Sequence, residues 1–244
     1  MHSHTELTLA IQPQPTDETC GPACLHAVYR FFQDPAPLDD VVAEVTRLGT
    51  GGTLAPYLGL HALERGYRAA IYTYNLKLFD PTWFDGAELR LEERLRAQAE
   101  VKPSARLRSA TVAHLEYLEA GGAIHFEELT PDLIRRTLFR GLPIMTGLSV
   151  TYLYGCARET YDSSGRSAYD SIRGFPTGHF VVVHGYDPTT DSVLVADPYH
   201  DNPIPGAGGS VYRVGVIRLL GAIMLGVLSY DANLLVIEPK VEVG

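Results

Sequence analysis

Two short stretches carry residues whose types and spacing suit covalent chemistry. The first is Gln14-Pro15-Thr16-Asp17-Glu18-Thr19-Cys20-Gly21-Pro22-Ala23-Cys24-Leu25. Polar residues that disfavour helix lead into Cys20. After it, Leu25, Val28, Tyr29 and Phe32 recur at the three-and-four spacing of one apolar helical stripe. Cys20 is therefore expected at or near a helix N-terminus. Unpaired N–H groups and the helix dipole favour an anion there, and with it the nucleophilic thiolate. Gly21 is read as room for a substrate at the helix end. Pro22 suits a first-turn position where its missing N–H costs nothing.

The second stretch runs Gly178-His179-Phe180-Val181-Val182-Val183-His184-Gly185-Tyr186, then a polar turn, then Ser192-Val193-Leu194-Val195-Ala196-Asp197-Pro198-Tyr199. Two apolar strands about a turn with a proline read as a β-hairpin. Folding it about Pro188 or Thr189 sets the start of one strand opposite the end of the other, and His179 within reach of Asp197. A carboxylate beside a histidine fixes the ring tautomer and stabilises its protonated form. Bringing Cys20 to the other ring nitrogen would assemble a nucleophile, a base and an orienter.

Taken together, these residues resemble the peptidase C39-like family of papain-like cysteine peptidases. In that family a glutamine six residues before the nucleophilic Cys-Gly serves the oxyanion hole. A Gly-His-(Phe/Tyr)-Val-Val strand carries the base, and an Asp-Pro after the next strand carries the third member. The resemblance implies an α+β papain-like fold, with a helical lobe followed by an antiparallel β-sheet lobe. It implies Cys20 as nucleophile, His179 as general base and acid, and Asp197 as orienter, with Gln14 and the Cys20 backbone N–H holding the oxyanion. The expected activity is hydrolysis of a peptide or amide bond through a thioester, with no cofactor and no metal. Familiar members are exporter domains that cut leader peptides after a double glycine. The sequence has no membrane span and no Walker loop, and Thr19 stands where exporter domains commonly have Asp. A stand-alone member is expected.

Other readings use the same residues. Acyl transfer to an amine, as in transglutaminase-like proteins, needs the same triad, and so does cleavage of an isopeptide or γ-glutamyl bond. Arg158, Arg166 and Arg173 could then meet substrate carboxylates. A catalytically silent peptide-binding module is the non-enzymatic alternative. Cys24, one helical turn beyond Cys20, is read as core, and Cys156 receives no role. Zinc is conceivable at Cys20, His179 and Asp197, but Cys20-x-x-x-Cys24 lacks the second ligand pair of a structural site. His184, five residues from His179, falls on the opposite strand face as a satisfied or half-buried histidine. His2 and His4 are read as tail, and Trp83, Tyr72 and Tyr74 as core or half-exposed aromatics rather than groove walls.

Positioning these groups falls to helices over Cys20–Phe32, Leu38–Leu48 and Leu54–Arg65, then a strand over Tyr67–Tyr74. Two charged helices, Gly86–Val101 and Ala105–Ala120, are followed by a short strand at Ile124–Glu127. Thr130-Pro131-Asp132 supplies an N-cap and first turn for a helix to about Phe139. Strands are expected at Ile144–Ser149, His179–Tyr186, Ser192–Asp197, Gly209–Val214, Ile223–Tyr230 and Leu234–Glu238. One domain is expected over 1–244, with a helical lobe to about residue 140 and a β-rich lobe beyond it. The polar stretch 152–177 is a surface loop or a substrate-covering flap.

Composition limits the partners. Across 244 residues, 45% hydrophobic and 20% charged content is that of a folded chain. The net charge of −9 comes with only three lysines, Lys77, Lys102 and Lys240, and no basic run, which excludes a nucleic-acid binder. Three cysteines cannot form a disulfide scaffold and suit a reducing compartment. The most apolar stretch, Leu219–Tyr230, is shorter than the roughly 20 residues a bilayer requires and is read as buried core. No signal peptide is visible, so the expected location is cytoplasmic, with a peptide or amide substrate and no membrane partner.

Overall fold

The computed structural model describes residues 4–49, 51–86, 90–161, 167–204 and 209–240. The chain opens with β1 (Thr5–Glu6), α1 (Cys20–Phe31), α2 (Leu38–Glu44), α3 (Ala55–Glu64) and β2 (Tyr67–Thr73). A 3-10 turn at Pro81–Phe84 leads to α4 (Leu91–Val101), α5 (Ala105–Glu119), β3 (Ala123–His125) and α6 (Pro131–Phe139). There follow β4 (Ile144–Ser149), α7 (Val150–Tyr154) and the hairpin β5 (Glu159–Tyr161) with β6 (Ser167–Tyr169). Last come β7 (Gly178–Asp187), β8 (Ser192–Ala196), β9 (Val211–Gly215), α8 (Val216–Leu225) and β10 (Asn233–Pro239). The Thr130 hydroxyl accepts from the Leu133 N–H at 3.2 Å, the N-cap bond its sequence position predicts.

The main sheet runs β3-β2-β10-β4-β7-β8-β9, with β1 added beside β7. Every pairing in it is antiparallel except β2 with β3, so the sheet is mixed at one edge rather than wholly antiparallel. The last strand, β10, lies between β2 and β4 and ties the early strands to the late ones. β7 sits at the centre and both its faces are covered. Phe180 and Val182 pack toward α1 with Leu25, Val28 and Tyr29, while Val181 and Val183 pack with Leu219 and Ile223 of α8. The unbroken Phe-Val-Val-Val run is the pattern that two covered faces require. A further core joins Leu54, Leu78, Phe79, Leu95 and Leu107 beneath α4 and α5.

Three expectations need correction. The strand expected at Ile223–Tyr230 is instead the end of α8 and a 3-10 turn over Gly226–Ser229. Val216, Leu219, Ala222 and Ile223 are its buried residues, a helical spacing that the dense apolar sequence around them conceals. α1 is buried along residues 21–29 rather than along one stripe, because the sheet, α2 and α3 enclose it. The helix expected from Gly86 starts at Leu91; residues 87–89 lie outside the described ones. The 152–177 stretch holds α7 and the β5–β6 hairpin, joined by residues outside the described set.

Candidate active site

Cys20 is the first residue of α1, presented by a tight turn. The Thr19 hydroxyl accepts from the Thr16 N–H at 3.0 Å and donates to the Thr16 carbonyl at 2.9 Å, so Thr19 closes the turn instead of capping the helix. The Gln14 N–H donates to the Pro198 carbonyl at 3.0 Å, which ties this turn to the residue after Asp197. The β7–β8 register pairs Val182 with Ala196. Continued by one residue it sets Asp197 across from Val181, so the contact with His179 is diagonal rather than directly opposite. His179 Nε2 lies 2.9 Å from Asp197 Oδ1. This leaves Nδ1 as the ring nitrogen available to Cys20, which adjoins His179 and acts on its charge.

Asp197 is fully buried, and donors surround it. Oδ1 also accepts from the Tyr199 N–H at 2.9 Å, while Oδ2 accepts from Tyr154 at 2.8 Å and Tyr212 at 2.6 Å. Burial opposes ionisation of this carboxyl, but His179 and the hydrogen bonds prevail and hold its pKa below the ordinary value. Burial likewise opposes a charge on His179. Asp197, and then Cys20, outweigh it and raise the imidazole to about 10. The arrangement is a buried carboxylate holding a charged histidine beside a helix-start thiol. A cavity of about 210 Å³ opens onto His179, and its wall includes Gln14, Asp17, Tyr154, Glu159, Tyr169 and Tyr199.

A family model described as the Peptidase_C39 like family matches residues 116–205. That stretch holds His179 and Asp197, while Cys20 and Gln14 precede it. Among solved structures, a C39-like peptidase from Bacillus anthracis superposes with a TM-score of 0.52 at 11% identity, covering 98% of this chain and 100% of that one. The likeness to the C39-like family is thus in sequence over residues 116–205 and in fold over nearly the whole chain. The peptidase domain of Streptococcus ComA, a bi-functional ABC transporter, gives 0.41 at 13% identity, over 94% of this chain and 98% of that one. Xylellain, a cysteine protease from Xylella fastidiosa, gives 0.44 at 15% identity, over 98% and 86%. No curated protein matches the sequence. Among the described residues, no helix is long and apolar enough to cross a membrane.

Within this C39-like fold the remaining candidates separate clearly. Gln14 reaches the cavity; its Nε2 donates to the Thr16 carbonyl at 2.9 Å, and its buried Oε1 has no partner among the described residues. Gly21 does not make room for substrate: a Cβ there would meet the Thr53 methyl at 2.7 Å, so the glycine serves packing against the start of α3. Cys24 is fully buried, with its thiol 3.3 Å from the Phe180 carbonyl, and burial pushes its pKa up. Cys156 is half-buried and contacts Tyr169. His184 sits at a bulge in β7 and its Nδ1 donates to the Leu7 carbonyl at 2.9 Å.

Trp83 packs on the core beneath α4 and α5, Tyr72 stacks near His125, and Tyr74 is buried. His4 lies 3.4 Å from Glu6, and His2 is outside the described residues. Neither Arg158 nor Arg173 lines the cavity. Arg158 reaches the Ser171 carbonyl, the Arg173 N–H bonds Asp170, and Arg166 is outside the described residues. Sequence reasoning missed Tyr154 and Tyr212. β9 alternates exposed and buried positions with Tyr212 inward, and an inward tyrosine hydroxyl needs a partner. That alternation was a usable signal. Tyr154, at the end of a five-residue helix, offered none.

A second buried carboxyl stands behind the histidine strand. Asp231 is 7% exposed and its Oδ2 accepts from the Ser229 hydroxyl at 2.6 Å. A Cβ on Gly178 would lie 2.3 Å from that oxygen, so a glycine before His179 is what the carboxyl requires. Burial raises Asp231 from 3.8 to about 7, against the pull of Ser229, Arg106 and His179. The folded state thus holds a proton that the unfolded chain releases, and stability should fall as pH rises through that interval. Asp231→Asn should remove the slope and leave the protein about 2–4 kcal/mol more stable at pH 8. Urea unfolding at pH 5 and pH 8 measures this; an unchanged slope would mean the carboxyl does not titrate there.

Proposed function

We propose that the protein is a single-domain cysteine peptidase acting on a peptide or amide bond, with Cys20, His179, Asp197 and Gln14 as its working groups. The observation that carries this reading is a helix-start cysteine beside a histidine whose charge a buried aspartate sustains.

The Cys20 sulfur attacks the carbonyl carbon, and the oxyanion accepts from the Cys20 N–H and the Gln14 carboxamide. The C–N bond then breaks as the His179 imidazolium gives its proton to the leaving amine, which leaves a thioester on Cys20. His179 takes a proton from water, the hydroxyl adds to the thioester, and collapse expels the Cys20 thiolate beside the re-formed imidazolium while the product acid gives its proton to solvent and departs as carboxylate. Asp197 keeps Nε2 engaged throughout, so that Nδ1 does the proton transfer. Because the acid form of His179 is needed, kcat/KM should hold to alkaline pH and fall only near the raised pKa of about 10.

Alkylation with iodoacetamide near neutral pH, mapped by peptide mass spectrometry, tests the reading. Cys20 should label far faster than Cys24 and Cys156, and His179→Ala should slow it by about tenfold or more. Equal labelling of the three cysteines, or no effect of His179→Ala, would sink it.

A further inference from the structure

A second cavity, of about 350 Å³, opens beside the C-terminal end of α1. Gln12, His26, Arg30 and Gln33 form its polar wall, and Pro35 and Pro37 an apolar one. His26 is only 3% exposed, yet its Nδ1 has no hydrogen-bond partner among the described residues. That nitrogen is also closed off from the cavity, so Nε2 is the ring atom left to meet an occupant there. Arg30, exposed above it, makes no ion pair among the described residues.

Asp34, the acid in that wall, is already engaged. It pairs with Arg65 at 2.6 Å and accepts from the Ala36 N–H and the Tyr67 hydroxyl. The last carbonyls of α1, on Val28, Tyr29 and Arg30, accept from Phe32, Asp34 and Gln33, so they offer the cavity little negative charge. Gln33 holds a left-handed backbone (φ 63) that turns the chain around this rim. Burial, and then the charge of Arg30, disfavour protonation of His26, a conflict that a bound anion would relieve.

We propose that this cavity binds a carboxylate carrying an apolar body. Arg30 and His26 take the carboxylate oxygens, the carboxamides of Gln12 and Gln33 offer further donors, and the prolines cover the apolar part. One guanidinium matches a monocarboxylate, whereas a doubly charged phosphate would find no second fixed cation in the wall. A peptide C-terminus and a small organic acid share this chemistry. Gln12 lies two residues before Gln14, so an occupant also bears on the turn that reaches His179. That consequence rests on the peptidase reading, but the binding does not.

The test is titration of the full chain at pH 7, followed by NMR of the His26 ring protons, with N-acetyl-leucine, N-acetyl-leucinamide and acetate as probes. N-acetyl-leucine should shift His26 saturably, the amide should not, and Arg30→Gln should weaken the acid by about tenfold or more. Acetate binding as well as N-acetyl-leucine assigns the site to small organic acids; much weaker acetate binding assigns it to a peptide terminus. No shift with either acid, equal binding of the amide, or an unchanged affinity in Arg30→Gln overturns the proposal. His26→Gln assigns the resonance, and because Arg30 is exposed the decisive variant does not depend on that buried replacement folding.

Discussion

Asp197→Ala is expected to damage both the fold and the activity. The carboxylate is fully buried and accepts from His179, Tyr199, Tyr154 and Tyr212, so alanine leaves four donors without an acceptor. Breaking a buried charge pair from one side costs about 3–5 kcal/mol. The pH window follows from the two shifts. His179 is raised, so its contribution is complete below its ordinary pKa of 6.5 and disappears as pH climbs to about 10. Asp197 is lowered, so its contribution is present above the ordinary carboxyl range and lost as pH falls through its folded pKa. The stability lost in Asp197→Ala should therefore be greatest at mildly acidic pH, between the ordinary carboxyl range and 6.5, and shrink toward both extremes.

Turnover of a peptide substrate should fall by about 10³–10⁴, as when a triad loses its orienting carboxylate. The alkaline limb of kcat/KM should also move down toward the ordinary histidine range. Tyr154→Phe and Tyr212→Phe remove one donor each and should cost only about 1 kcal/mol apiece with most activity kept. Urea unfolding across pH, with kcat/KM on the folded variant, measures all of this. Wild-type turnover in Asp197→Ala would refute the role given to the carboxylate.

Cys20→Ala should separate activity from stability. Cys20 is half-buried and begins a helix whose remaining core contacts come from residues beyond it. Alanine suits a helix, so unfolding should shift by less than about 1 kcal/mol. Hydrolysis should drop by about 10⁶, the loss seen when a triad enzyme is stripped of its nucleophile. A peptide library incubated with both proteins reads the difference as cleavage products found only with wild type. Products from Cys20→Ala at more than background would place the chemistry elsewhere.

How much of this was legible in advance depended on how local the signal was. The Cys20 helix start and the His179–Asp197 hairpin are set by neighbours within a few residues, through polar-to-apolar switches and a turn. The diagonal offset between His179 and Asp197 was not visible, because register depends on where β7 bulges at His184. The end of α8 reads as strand from Ile223 because nearly every residue around it is apolar, and no polar face marks its period. Gly21 and Gly178 looked like openings for substrate or mere motif letters. Their reasons, the Thr53 methyl and the Asp231 carboxyl, come from parts of the chain far from either. Contacts with such separations leave no trace in a local pattern.

The hydrogen bond from the Gln14 N–H to the Pro198 carbonyl spans most of the chain, and β10 closes the sheet only when the last strand arrives. If the candidate site works as described, a nascent chain makes its cysteine well before its histidine and aspartate. Reactive chemistry would then be withheld until those later residues are made and folded. The molecule would be unable to cut itself or its neighbours while the early part of its backbone is still open to cleavage, a safeguard written into the order of the chain.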